Sequence, residues 1–376
     1  SADGGRRVDG GAAPDLGAPD AGVPAGPADA LDVLFVIDDS GSMEEEQASL
    51  ADAIPRLVQA LVTGRVLDAG TGAVLREFRP LSSLRMGVVT TDMGTGGSNL
   101  PTCFEARFGD DAVLSRRGAV GTSPGCGASY PSFFTFEAEA AGTDAERDAI
   151  AASLANDVSC VAQVGIGGCG FEQQLEAMLK AITPASSDLR FAEDTQGNGA
   201  GGANDGFLRE EAALGIVLVT DEDDCSVRDP DLFNPASTRF PGDLNLRCFD
   251  HPDAVYDLDR FANGLLALKP AGRLAFTAIA GLPTDLAPDP GGTVDYARIA
   301  AAPSMQERVD RESSGRLVAS CDNPGRGLAF PPRRIVGLAR ALDARGAEAT
   351  VQSLCARSFS TAIADVALRL AATLEP

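Results

Sequence analysis

The sequence predicts an α/β protein, a doubly wound and mostly parallel sheet flanked by helices, with disulfide-stapled loop insertions. Three observations lead there. Short apolar runs recur at 34–37, 214–219 and 274–279; segments with apolar residues at helical spacing stand between them; and two of the runs end on acidic residues. In an open sheet of this kind the ligand site lies at the carboxyl ends of the strands.

Taken in order, Leu34, Phe35, Val36 and Ile37 form an unbroken apolar run bounded by acidic residues, as in a strand buried on both faces. Leu50, Ile54, Leu57 and Leu61 then follow at helical spacing, and Pro55 among them predicts a kink. A second strand passes through Leu84, Met86, Val88 and Val89. Behind a Gly-rich loop, Phe171, Leu175, Met178 and Ile182 mark a helix. The alternation continues with strands at Leu214 to Val219 and Leu274 to Ile279 and a helix around Ile335 to Leu342. A short strand at Ala349 to Val351 and a last helix carrying Phe359, Ile363, Val366 and Leu370 complete it.

Residues 1–30 are dominated by Ala, Gly, Pro and Asp and contain no aromatic residue. Such a segment buries too little apolar surface to offset its ordering entropy, so it reads as a disordered acidic tether to a single domain at 31–376. Segments 94–160 and 222–270 are long, rich in Gly, Pro and Asp, and contain cysteines; they read as stapled insertions on the binding face. The stretch TQGNGAGGAND at 195–205 reads as a mobile loop.

Composition narrows the function. With 31 Lys+Arg against 54 Asp+Glu the formal charge is −23. A field of that sign repels nucleic acid and anionic membranes. The single histidine, His251, excludes mechanisms that need two. There is no phosphate loop of the GxxxxGK[ST] kind and no serine nucleophile elbow, so the chain is not expected to be an enzyme. No apolar run is long enough to span a membrane as a helix.

Eight cysteines, Cys103, Cys126, Cys160, Cys169, Cys225, Cys248, Cys321 and Cys355, include no CxxC pair, which points to disulfides in an oxidising compartment. Pairing of sequence neighbours gives 103–126, 160–169, 225–248 and 321–355. The start at Ser1 reads as a mature exported form whose missing leader could have carried a lipid anchor, at the cell envelope or secreted.

The sharpest local signal is FVIDDSGSMEEEQ, where Asp38, Ser40 and Ser42 alternate between the first strand and the first helix. A turn can aim one carboxylate and two hydroxyls at a single point, a donor set suited to a hard divalent cation that keeps several waters. A competing reading makes Ser42 and Glu45 a helix capping box, with Asp39 or Ser40 forming the turn. GIVLVTDEDDCS places Asp221 after another strand, and two acidic strand ends at one sheet edge favour the metal.

This pattern resembles the von Willebrand factor type A domain and its metal-ion-dependent adhesion site, over roughly residues 31–375, in the manner of exported bacterial members with extra disulfides. The resemblance implies a VWA/Rossmann-like fold binding Mg²⁺, Mn²⁺ or Ca²⁺ through Asp38, Ser40, Ser42 and Asp221, with a partner's carboxylate completing the shell. One position departs: in GIGGCGFEQQLEAM, Cys169 stands where the family places a threonine ligand. Thr91 and Asp92 in VVTTDMG, and Glu172, are the candidates to replace it directly or through water. Glu222, Asp223 and Asp224 around the Asp221 turn are further candidates. Glu44, Glu45 and Glu46 are read as a first helical turn that complements the helix dipole.

The expected function is a cation-dependent binding or adhesion module that captures an acidic residue of a protein partner. An envelope component with a degenerate metal site and metal-independent contacts is the alternative, and a metal-assisted hydrolase a minor one.

Overall fold

The run predicted at 34–37 is the C-terminal half of strand β1 (Ala30–Ile37), every residue of which is buried in the computed structural model. The structure describes residues 28–119, 125–313, 315–323 and 327–375, so the tether reading for 1–30 falls almost wholly outside the described residues. The helix α1 (Glu44–Thr63) follows, then a hairpin of β2 (Arg65–Leu67) and β3 (Val74–Glu77), then β4 (Ser83–Thr90). Next come β5 (Phe134–Glu137), α2 (Asp144–Ala162), α3 (Gln174–Ile182), β6 (Ala213–Val219), the one-turn α4 (Arg247–Asp250) and α5 (Leu258–Leu268). The chain closes with β7 (Leu274–Ala280), α6 (Tyr296–Ala301), a small hairpin of β8 (Cys321–Asn323) and β9 (Gly327–Ala329), α7 (Arg333–Asp343), β10 (Glu348–Ser353) and α8 (Ser360–Ala372).

Six strands form one sheet in the order β10-β7-β6-β1-β4-β5, parallel throughout except for the antiparallel edge strand β5. Helices cover both faces, as in von Willebrand A-like and other doubly wound folds. The period-2 alternation of β1 divides the core. Leu31, Val33, Phe35 and Ile37 pack with Leu50 and Ile54 of α1, Leu154 and Val158 of α2 and Ile363 of α8. Leu34 and Val36 face Leu175 of α3, Phe261 of α5 and Ile335 of α7. Each such side chain contributes about 1.5–3 kcal/mol on leaving water. The exception in β1 is Asp32, whose carboxylate accepts from the Arg209 guanidinium at 2.6 and 2.8 Å and from its backbone N–H at 2.7 Å.

Helix α1 continues through Pro55 as one element of 20 residues. Proline removes the N–H that Ala51 O would accept. The Ser159 hydroxyl of α2 donates to that carbonyl instead, at 2.8 Å, which satisfies it.

The segments expected to be insertions also contain core elements. Between 94 and 160 lie β5, which extends the sheet, and most of α2, which packs on α1. Between 222 and 270 lies α5, with Phe261 and Leu265 fully buried. What the two segments do build, together with the Gly-rich loop, is a third small core, in which Leu100, Phe171, Leu232, Phe233 and Phe240 surround the half-cystines Cys103, Cys169, Cys225 and Cys248. The stretch at 195–205 is stitched down rather than loose: Asn204 is buried, donates to Ala112 O and Ala181 O at 2.9 Å, and accepts from the Leu114 N–H.

All eight cysteines are bridged, but half the neighbour pairing is corrected. Cys225–Cys248 and Cys321–Cys355 form as expected, whereas Cys103 joins Cys169 and Cys126 joins Cys160. The reason is spatial: Cys160, in the last turn of α2, lies beside the backbone of Ala119, whose N–H donates to its carbonyl at 3.1 Å, and so meets the 126 end of that segment. Proximity in the fold, not along the chain, decides a pairing.

Candidate metal centre

The sheet reverses its winding at β1, which lies between β4 and β6. The register sets Ile37 beside Thr90 on one side and Val219 on the other, so Asp38, Thr91 and Thr220 emerge side by side at the carboxyl edge. Strand winding diverges there and opens a crevice.

The motif loop is held tightly. Asp38 is fully buried; its Oδ1 accepts from Ser40 N–H at 2.8 Å and its Oδ2 from the Thr220 hydroxyl at 2.6 Å. The Ser40 and Ser42 hydroxyls lie 3.3 Å apart, and Ser42 hydrogen-bonds the Asp221 carboxylate. The competing capping box does not form: Met43 is the N-cap residue, and no side chain caps α1. Ser42 is thereby free to serve the loop. Gln47, one turn into α1, donates to Asp38 O at 2.9 Å and to Gly165 O at 2.8 Å, which ties the motif to the Gly-rich loop before α3. In that loop Gly168 N–H donates to Asp39 O at 2.9 Å. A Cβ on Gly168 would sit 2.2 Å from the Asp39 carboxyl carbon, so only glycine permits this approach.

The electrostatics are one-sided. Burial first, then the charges of Asp38 and Glu222, hold the Asp221 carboxyl well above its ordinary range. Burial and the neighbouring Glu222, Asp38 and Asp221 do the same to Glu172. Burial also raises Asp38, pushes Glu222 up to about 7, and with Asp92, Asp38 and Asp110 pushes Asp39 up to about 8. Three buried oxygens, Asp39 Oδ1, Thr91 Oγ1 and Asp221 Oδ1, have no hydrogen-bond partner.

The fold brings Asp38, Ser40, Ser42 and Asp221 together, with Glu172 and Glu222 close enough to perturb them. Asp92 is buried and its carboxylate is taken up by backbone N–H groups, Gly94 at 2.9 Å and Cys169. Thr91, on the adjacent strand end, keeps an unpartnered hydroxyl. Asp223 accepts from the Arg334 and Ile335 N–H groups at the start of α7, and Asp224 from Leu175 N–H, Ser226 and Arg334. Both therefore serve the scaffold. Glu44 and Glu45 are exposed, while Glu46 is buried and its charge reaches Asp221. His251 lies away from the sheet edge, against Pro241 O and the Phe240 ring.

Sequence reasoning overlooked Thr220 and Gln174. Gln174 donates to the Thr220 hydroxyl at 3.0 Å, and Thr220 in turn donates to Asp38, a chain that orients the motif carboxylate. The position of Thr220, directly after an apolar strand and before Asp221, was the signal available.

Among the described residues no three His, Cys, Asp or Glu side chains converge as a ready-made ligand set. The oxygens gathered here are instead carboxylate and hydroxyl together, with orphaned atoms in reach of the loop, and that mixed set fits a hydrated divalent cation. Asp38, Ser40, Ser42 and Asp221 would hold it.

No family model matches the sequence, and no curated protein matches it either. Among solved structures, the human COPII-coat protein Sec24c is similar at 11% identity and a TM-score of 0.23, over 67% of this chain and 26% of that one. The chain spans about a quarter of that structure's length, and a likeness this remote carries no argument about function.

Proposed function

We propose that the carboxyl edge of the sheet binds a divalent cation, Mg²⁺ or alternatively Mn²⁺ or Ca²⁺, and through it a carboxylate presented by a protein partner. The observation that carries this reading is a cluster of buried carboxylates without a positive neighbour. Among the described residues no lysine or arginine pairs with Asp38 or Asp221, and Asp221 Oδ1 lacks any partner. Uncompensated charge in such a place is expensive, and a cation supplies the missing counter-charge. A bound cation with a vacant coordination position attracts an anionic ligand.

The surroundings support a protein partner. Phe104 is 81% exposed and Ile166 46%, and the Cys103–Cys169 bridge joins the two loops that carry them. Apolar side chains beside a charged centre are what a protein interface uses as anchors. Four disulfides, with no helix among the described residues long and apolar enough to cross a membrane, are compatible with an exported protein at the envelope or outside the cell. The bridged Cys169 supplies no hydroxyl, and this favours a second reading in which contacts are metal-independent.

Calorimetric titration with Mg²⁺, Mn²⁺ and Ca²⁺ separates the two. Asp38→Ala and Asp221→Ala should each weaken binding at least about tenfold; equal affinities for all three proteins would refute the metal. Capture of partners from envelope extracts should fail in EDTA, and undiminished capture would support the second reading.

A further inference from the structure

We infer that the cleft beside the candidate metal centre receives a basic side chain, lysine or arginine, of a partner polypeptide. The cleft encloses about 250 Å³ between the Asp221 turn, the start of α3 and the start of α7. That is below the roughly 300–1,000 Å³ of pockets that take drug-sized ligands, and it suits one extended side chain.

Seven charged residues line it, and most are already matched. Asp223 accepts from the N-terminal N–H groups of α7, at 2.9 Å from Arg334, and Asp224 accepts from Ser226 and from Arg334 Nε at 3.0 Å. Glu307 pairs with Arg333 at 3.5 Å, and Arg316 with Asp310 at 3.2 Å. What is left over is Glu172 and Glu222. Glu172 is only 2% exposed, lines the cleft, and receives no hydrogen bond from any other described residue. Glu222 lines the same cleft and its carboxylate likewise has no described donor. Two neighbouring carboxylates so placed call for a cation.

The walls decide which cation. Phe171, Phe249, Leu317 and Phe330 make the cleft half apolar. A small hydrated ion gains nothing from hydrocarbon walls. Lysine and arginine bury an aliphatic stem against apolar surface while the charged head is held by carboxylates and ring faces. The inference concerns charge and shape in the cleft and does not rest on the metal reading; together they describe a partner that presents an acidic and a basic residue close together.

The test is run on the full chain in EDTA, so that it reads the cleft and not the metal centre, which the separate metal titration reads. Argininamide, used as its Nα-acetyl derivative so that the guanidinium is the sole charge, should bind saturably with a dissociation constant on the order of 1–10 mM, whereas Nα-acetylated, uncharged citrullinamide should not. Glu222→Gln and Phe249→Ala should each weaken argininamide binding at least fivefold while circular dichroism stays native; should one fail to fold, the other carries the test. A capped Ala-Arg-Ala peptide should bind as well as argininamide. No saturation by 50 mM, equal binding of citrullinamide, or indifference to the folded variants would overturn the inference. Binding of spermidine with exclusion of the capped peptide would overturn the polypeptide source.

Discussion

The Thr220 hydroxyl donates to Asp38 Oδ2 at 2.6 Å, joining the ends of two neighbouring parallel strands inside the candidate metal centre. Thr220 itself is held by Gln174, so the orientation of Asp38 depends on a residue 182 positions away along the chain. Thr220→Val keeps the shape and removes the donor. We expect metal affinity to fall about tenfold by calorimetry, the usual effect of losing a group that orients a ligand. An unchanged affinity would show that this hydrogen bond does not set Asp38 for the metal.

Glycine at 168 is required by its approach to Asp39. In Gly168→Ala the new methyl would overlap the Asp39 carboxylate, so the loop or the motif must move. A loss of about 1–3 kcal/mol in urea unfolding is expected, together with weaker metal binding.

At the opposite end of β1, Asp32 and Arg209 form an ion pair with side-chain exposures of 0% and 12%. Arg209→Met would leave Asp32 buried and uncompensated. Breaking such a pair costs about 3–5 kcal/mol, measurable as a lower urea midpoint with metal affinity unchanged. Lys269 donates its ammonium to the Arg209 and Glu210 backbone carbonyls, contacts that this side-chain substitution leaves in place.

Glu176 gives a pH prediction away from the metal. Burial pushes its carboxyl up to about 7, against the opposing pull of the Arg260 guanidinium 2.9 Å away. The folded state then holds the Glu176 proton more firmly than the unfolded chain, where it leaves near the ordinary value of about 4.3. Its stabilising contribution is full below that value and is lost as pH rises through 7, a change on the order of 3 kcal/mol. Urea midpoints between pH 4.5 and 7.5 should show a fall, and Glu176→Gln should make it shallower, since the raised Asp39, Glu222 and Asp223 carboxyls add a fall of the same sign.

The bridge from Cys103 to Cys169 links the 94–160 segment to the Gly-rich loop behind the motif. Replacing both cysteines by alanine should cost about 2–5 kcal/mol and lower metal affinity as well. Peptide mapping without reduction should recover 103 with 169 and 126 with 160, and recovery of 103 with 126 would contradict the fold.

The elements that were legible are those whose signal is local. The apolar runs of β1, β6 and β7 and the helical spacing of α1, α3, α7 and α8 each lie within a few residues of sequence. Helix α2 escaped because it is alanine-rich and has few large apolar residues to mark a face, although its start was written in Thr143 and Glu146: the Thr143 hydroxyl accepts from Glu146 N–H and the Glu146 carboxylate accepts from Gly142 N–H. Strand β5 escaped because its alternation, Phe-Thr-Phe-Glu, lasts only four residues, too few to stand out inside a long loop-like segment.

By itself the sequence determined the sheet's buried strands and the motif Asp38-x-Ser40-x-Ser42, because apolar runs and turn chemistry act over short distances. Tertiary structure alone decided the rest. It set Asp221, Glu172 and Glu222 against Asp38, released Ser42 from a capping role, paired Cys103 with Cys169, and left a few buried oxygens without partners. Those outcomes depend on strand register and on the packing of α3 against the sheet edge, and burial is what raises the carboxyls gathered there above their ordinary range.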